Sequence, residues 1–229
     1  MDKDERIDKD ESLDKDGRID KDESLDKDER LDKDECMVGE ALPNLAYNVE
    51  RTGRYTYADY VTWDDDQRWE LIDGEAYLMS APIRIHQELI GNLFYQLKNF
   101  LKGKHCKVYM APFDVRLNAD TEDNTVVQPD ILVICDHAKL TREGSIGAPD
   151  MLIEVLSPST SARDRKVKLD LYRKFGVREY WIVDPETKTT ATHILKDGEY
   201  ITRAYSDTDS APVYILEGCT IDFIEVYEE

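Results

Sequence analysis

Nowhere in this chain do about 20 apolar residues run together, the length needed to cross a bilayer as a helix, so no helical membrane anchor is expected. The opening residues MDKDER hold no apolar core of the kind that marks a secretory leader. A cytoplasmic location is the resulting expectation. Cysteine is scarce too: Cys36, Cys106, Cys135 and Cys219 are the only four in 229 residues, and they form no C-x-x-C pair. A zinc cage wants closely spaced ligand pairs. A reducing compartment disfavours disulfides. The four are therefore read as separate, buried or incidental thiols. Positive charge is short as well, since 50 acidic side chains outweigh 30 Lys and Arg to leave a net charge of −20. That excludes a protein that coats nucleic acid through general phosphate neutralisation. Any DNA contact must use a local basic patch, helped by divalent cations.

Part of the acidity sits in a repeat. Residues 1–36 carry 17 acidic and 9 basic side chains, 9 − 17 = −8, which leaves −12 for the rest. Within them DKDERI, DKDESL, DKDGRI, DKDESL and DKDERL follow one another. At about 100° per residue, six residues turn a helix by about 240°, so Ile7, Leu13, Ile19, Leu25 and Leu31 scatter around the cylinder. A strand would align them, but Asp-Lys-Asp is poor strand material, and a β-helix needs more apolar residues per coil. So sparse an apolar content cannot offset the entropy of ordering. The expected organisation is a disordered acidic tail over 1–36, a linker over 37–54 and one folded domain over 55–229.

The body alternates helix and strand signals. YTYADYVTW (55–63) reads as a short helix and 64–66 as an Asp-rich loop. RWELIDGEAYLMS (68–80) reads as two strands about Asp73-Gly74, a favoured hairpin turn. After Pro82, Ile85, Leu89, Leu93, Leu97 and Leu101 recur four apart on one face of a long helix. Segments 107–117 and 125–135 each read as one strand, 148–157 as a central strand and 179–185 as another. Ser157-Pro158-Ser159-Thr160 can cap a helix from about 160 to 175 that Gly176 ends, and 188–227 read as β-hairpins. Without regular βαβ alternation, the fold class is α/β or α+β around a mixed sheet.

Polar residues interrupt the apolar strands at two places. Asp130 follows Pro129 and leads into ILVIC, and Glu154 sits inside MLIEVL. A carboxylate in such a run is costly unless it pairs or binds a cation. Two facing carboxylates suit Mg²⁺, which takes hard oxygen ligands and keeps several waters. A third, cationic group could come from 161–178, where Arg163, Arg165, Lys166, Lys168, Arg173, Lys174 and Arg178 cluster. On a helix Asp164, Lys168 and Tyr172 share a face, so Lys168 can point back at Glu154 while Arg163, Arg165, Lys166 and Arg173 meet nucleic acid. Each residue also has a plainer reading. Pro-Asp starts turns, a strand Glu can pair with an arginine, and a charged helix is usually a solvated face.

Several blocks together carry a resemblance. WELIDGE (69–75), APFDVRL (111–117), VVQPDILVI (126–134), GAPDMLIEVLSPST (147–160), D-x-x-x-K-L-x-L-Y (164–172) and GVREYWIVDP (176–185) resemble the Uma-type restriction-endonuclease-like family, once a domain of unknown function. That family belongs to the PD-(D/E)-x-K nuclease superfamily. The resemblance spans roughly 55–200 in matching order. It implies a restriction-endonuclease-like core with flanking helices and a DNA endonuclease activity that hydrolyses phosphodiesters with Mg²⁺, or Mn²⁺ in its place. Asp130 matches the superfamily's Pro-Asp element and Glu154 its second acid. Leu156 stands where the superfamily lysine is expected, and Lys168 matches the position from which this family supplies it. The implied metal ligands are Asp130, Glu154 and the Val155 carbonyl. Glu70 and His86 fall at family-typical positions lining the cleft. By analogy such folds pair, so a homodimer is a reasonable expectation. The alternative is a catalytically weak or inactive nucleic-acid-binding or regulatory protein on the same scaffold, to which the acidity and the displaced lysine give weight.

Overall fold

A computed structural model describes residues 51–157 and 164–228. The repeat tail, the linker up to residue 50, the capping segment from Pro158 on and Arg163 lie outside the described residues. The described part belongs to one unit spanning 49–229.

Local chemistry explains the first elements. Helix α1 (Tyr57–Tyr60) is closed at its start by Asp59, whose Oδ2 accepts from the Thr56 N–H and hydroxyl, both at 2.8 Å. Strands β1 (Trp69–Ile72) and β2 (Glu75–Leu78) pair with Ile72 opposite Glu75. The turn between them needs two residues with positive φ, and Asp73 at 48° and Gly74 at 83° supply it. Helix α2 (Arg84–Phe100) buries Leu89, Leu93 and Leu97, the stripe foreseen from their spacing.

Two expected strands are each broken in two. Segment 107–117 forms β3 (Lys107–Met110) and β4 (Asp114–Arg116), and 125–135 forms β5 (Val126–Val127) and β6 (Ile131–Ile134). In both cases the halves lie in different sheets. The reason is proline: Pro112 and Pro129 have no N–H to give a ladder, so the chain leaves one sheet and enters the other there. The two crossings are tied together, because Ala111 N–H donates to the Asp130 carbonyl at 3.0 Å. A strand that the pattern left unassigned, β7 (Gly144–Ile146), pairs parallel with β4. It approaches so closely that a Cβ on Gly144 would lie 2.1 Å from the Asp114 carbonyl oxygen.

The remaining elements are β8 (Met151–Val155), α3 (Leu169–Lys174), β9 (Glu179–Asp184), β10 (Thr189–Lys196), β11 (Glu199–Ser206), β12 (Ser210–Pro212), β13 (Thr220–Asp222) and α4 (Phe223–Val226). One sheet runs β11-β10-β9-β8-β6-β3, a second β2-β1-β5-β4-β7, and β12 pairs with β13. β8 and β9 are parallel while β6 and β8 are antiparallel, so the sheet is mixed and the fold is α/β, as the sequence indicates. The C-terminal hairpins are present. The final segment departs from that reading: Asp222 caps the Ile224 N–H and the chain closes in a helix.

The six-stranded sheet has a core on each face. Ile131, Val133, Met151, Ile153 and Trp181 pack with Leu89, Leu93 and Leu97 of α2. Leu132, Leu152, Leu156 and Tyr180 pack with Leu171 and Tyr172 of α3 and with Val115 and Val127 of the second sheet.

The reading of all four cysteines as separate thiols is corrected. Lys107 pairs with Ile134 across β3 and β6, and the next step of that register sets Cys106 opposite Cys135. Their Cα atoms are 4.0 Å apart and the sulfurs are bonded. Sequence spacing hides such a pair because strand pairing, not chain distance, creates it. Cys219 is a buried free thiol whose burial pushes its pKa up to about 11.

Burial also acts on His193 of β10, whose Nδ1 lies 2.8 Å from the Thr202 hydroxyl. Desolvation lowers its pKa below the ordinary value. A histidine held neutral in the fold contributes stability above its unfolded pKa, and that contribution is lost as pH falls toward its folded pKa. His193→Gln is therefore expected to flatten the fall in melting temperature between pH 7 and pH 5. The slope removed is at most about 1.4 kcal/mol per pH unit. Parallel melting curves for variant and parent across that window would rule this out.

Candidate active site

Strand alternation decides where Glu154 points. On β8, Met151, Ile153 and Val155 enter the core under α2, while Leu152 and Leu156 enter the core under α3. Glu154 shares the second set's parity. On β6, Leu132 and Ile134 belong to that same core, whereas Asp130 stands in the bend just before β6, outside that alternation, and its carboxylate meets His86 of α2 and the Val155 N–H. Ile131 pairs with Ile153, so continuing the register by one residue places Asp130 opposite Glu154. Two like charges directly opposite on neighbouring strands are destabilising. That placement calls for cations.

The cations and their holders come from separate segments. Lys168 ends a π-helical turn, Asp164–Lys168, that precedes α3. Within the described residues, the expected simple helix is thus a wider turn over Asp164–Lys168 before α3, a feature frequent at functional sites. Lys168 is only 3% exposed. Its Nζ donates to Glu154 Oε1 at 2.8 Å and to Glu70 Oε1 at 3.0 Å. Glu70, on fully buried β1 of the second sheet, also accepts from the Gln128 N–H at 2.9 Å. Desolvating a charge costs several kcal/mol per ion. An ammonium is tolerated here because two carboxylates meet it.

Asp130 is held differently. Pro129 has no N–H to offer the Val155 carbonyl, and beside it Asp130 Oδ2 accepts the Val155 N–H at 2.8 Å. The same oxygen lies 3.2 Å from His86 Nε2, at the start of α2. A strand residue turns its N–H and C=O to the same edge, so the Val155 carbonyl points to the β6 side of β8. Glu70, His86, Asp130, Glu154, Val155 and Lys168 all line one cavity of about 100 Å³. The structure therefore brings together the five side chains and the backbone group that sequence singled out.

Three further contributors escaped sequence reasoning. Tyr172, fully buried, donates its hydroxyl to Glu154 Oε1 at 3.0 Å. Burial first of all, and then the nearby carboxylates, push its pKa well above the ordinary value, against the lowering effect of Lys168, so it stays a donor. Its shared face with Lys168 was the available signal. Arg68 lines the same cavity, and its guanidinium donates twice to Gln128 Oε1, at 2.8 and 3.1 Å. Nothing in the spacing of Arg68 and Gln128 announces that pair.

The cations assigned to nucleic acid lie elsewhere. Arg165 pairs with Asp184 at 2.6 Å and borders a neighbouring cleft with Leu156 and Ser157. Arg173 pairs with Asp170 and Glu199. Lys166 is exposed, and Arg163 lies outside the described residues. None of the three described ones borders the central cavity.

Does this donor set fit a divalent ion? Among the described residues, no group of three or more His, Cys, Asp or Glu side chains is arranged to cage one. Two opposed carboxylates and a carbonyl beside a cavity suit an ion that keeps several waters, as Mg²⁺ does. The residues fit that mode of binding and not a closed cage.

A mixed sheet with acids at the ends of adjacent strands and a buried lysine behind them is a nuclease-like architecture. The chain matches, over residues 57–223, the Uma2 family, described as "Putative restriction endonuclease". It belongs to that family. A solved structure described as a putative nuclease belonging to DUF820, from Anabaena variabilis, superposes with a TM-score of 0.62 at 17% identity, covering 76% of this chain and 97% of that one. That likeness speaks to the fold. In Synechocystis, the uncharacterized protein slr1290 is 28% identical over 155 residues, 66% of this chain and 80% of its own. The uncharacterized protein sll1609 is 26% identical over 141 residues, 59% of this chain and 78% of its own. No helix among the described residues is long and apolar enough to cross a membrane.

Proposed function

We propose that this protein is a Mg²⁺-dependent DNA endonuclease that hydrolyses phosphodiester bonds, with Asp130, Glu154 and Lys168 as its centre. One observation carries the reading: Asp130, just before β6, and Glu154, on the neighbouring β8, border one cavity in which the Lys168 ammonium is buried 2.8 Å from Glu154. Asp130, Glu154 and the Val155 carbonyl would hold one Mg²⁺, or Mn²⁺ in its place. When bound, that ion polarises the phosphate and makes water more acidic.

The chain's own residues do the rest. Lys168 sets a fixed positive charge where negative charge develops on phosphate, worth most in a site shielded from water. Glu70 holds the ammonium from the far side. Tyr172 fixes the orientation of Glu154 by its hydrogen bond. His86 orients Asp130 in the same way, at the start of α2. Two centres brought together in a homodimer would allow both strands of a duplex to be cut, which is the arrangement we favour.

Metal binding gives a test independent of turnover. A ligand that binds only the folded state stabilises it by RT ln(1 + [L]/Kd), about 1.4 kcal/mol at ten times Kd. Millimolar Mg²⁺ is expected to raise the melting temperature of the parent by several degrees and to leave Asp130→Asn unmoved. The same shift in both proteins would remove Asp130 from the metal site.

A further inference from the structure

We propose that the cationic face made by the C-terminal half of α2 and by β3 is a nucleic-acid backbone track leading into the Asp130–Glu154 cavity. This rests on the nuclease reading above and names how that site would hold its substrate. The first observation is compositional. Residues 89–113 contain four lysines (Lys98, Lys102, Lys104, Lys107) and no Asp or Glu, in a chain that has 50 acids. Against so acidic a background, a stretch without any counter-charge is a feature to explain.

The second is that these lysines are available. All four are exposed, and none lies within salt-bridge range of a carboxylate among the described residues. On the surface of the other basic segment Arg165, Arg173, Lys174 and Arg178 pair with protein carboxylates, and of its described surface cations only Lys166 does not. Phosphates compete poorly for cations already neutralised, so the sequence-favoured helix is the weaker candidate.

Geometry supplies the third. Tyr95, Lys98 and Lys102 are spaced three and four apart and share one face of the helix and its last turn. With Lys107 of β3 they border a shallow cleft of about 480 Å³. Tyr95 is 67% exposed, an aromatic surface beside cations on which a base can stack. The same two elements lead to the active site, because His86 on α2 and Met110 at the end of β3 border the central cavity. Twelve residues separate His86 from Lys98, about 18 Å of helix. At about 3.4 Å per nucleotide along a strand, the lysines would grip DNA about five nucleotides from the cut.

Plainer roles cover only part of this. Lysines favour the C-terminal end of a helix dipole, which accounts for Lys98 and Lys102. A lysine discourages edge-to-edge pairing on an edge strand such as β3, which accounts for Lys107. Neither explains the missing acids or the exposed tyrosine on the same face.

The test uses the full chain, fluorescent 20-mer duplex and single-stranded DNA, and Ca²⁺ to hold turnover back. Binding is followed by anisotropy from 50 to 200 mM KCl for the parent, for Lys98→Ala/Lys102→Ala/Lys107→Ala and for a control, Lys188→Ala/Lys196→Ala. The triple variant is expected to weaken binding at least tenfold at 50 mM KCl. It should also lower the slope of log K against log salt by about two to three, the release expected for three phosphate contacts, with its melting temperature unchanged. The control should match the parent. Asp130→Asn that binds like the parent yet fails to cleave would support the track separately from the chemistry. A triple variant with parental affinity and slope overturns it. So does a parent that cleaves a small phosphodiester but binds neither DNA form, a result that would leave the nuclease reading standing.

Discussion

Lys168→Met is expected to lower stability by about 3–5 kcal/mol, among the largest single-site losses in this fold. The side chain is 3% exposed and meets Glu70 and Glu154 at 3.0 and 2.8 Å. Removing one partner of a buried ion pair leaves uncompensated charge in the interior, and that is where a loss of about this size arises. The double-mutant cycle sharpens the expectation. Glu154→Gln removes one of the two charges but keeps an oxygen for the Tyr172 hydroxyl. Lys168→Met combined with Glu154→Gln should therefore be less destabilised than the sum of the singles by more than about 1 kcal/mol. Denaturant melts of the four proteins decide it. Simple additivity would mean that Lys168 contributes only packing.

Asp130→Asn is expected to keep the fold while lowering metal-dependent hydrolysis about a thousandfold or more. Asparagine can still offer an oxygen to the Val155 N–H, which Asp130 accepts at 2.8 Å, so the structural loss should stay near 1 kcal/mol, the usual worth of one such bond. The charge is what disappears, and with it the opposition to Glu154 that makes the site attract a cation. A thousandfold corresponds to about 4 kcal/mol of barrier. That gap between a small stability effect and a large rate effect separates a catalytic residue from a structural one. Equal losses in both would place Asp130 in the scaffold.

Much of the site was legible because single residues broke a strong pattern. A glutamate inside MLIEVL and an aspartate at the head of ILVIC conflict with strands that are otherwise apolar, and such conflicts mark places where function overrides packing. Period-two alternation then sets the face of Glu154, while Asp130 reaches the same cavity from the bend before β6. What sequence could not supply was the pairing itself. Proline positions were visible, yet nothing local says that Pro112 and Pro129 mark crossings between two sheets, so two long strands were expected where four short ones occur. The Cys106–Cys135 bond was hidden for the same reason, since it follows from the β3–β6 register. Helix periodicity placed Tyr172 beside Lys168 but could not show that a π-helical turn carries Lys168 to Glu154. Charge density on 161–178 drew attention to cations of which Arg165, Arg173, Lys174 and Arg178 prove to be engaged by protein acids. The less conspicuous lysines of α2 and β3 make no such pairs among the described residues.

Plasmid cleavage tests the shared hydrolytic pocket of Asp130 and Glu154 most directly. Supercoiled DNA is incubated in Mg²⁺ with the parent, Asp130→Asn and Glu154→Gln, each prepared identically and shown to be folded. The prediction is nicking or linearisation by the parent that EDTA abolishes and that both variants lose. Cleavage of equal rate in all three proteins, or cleavage by the parent that persists in EDTA, would contradict it.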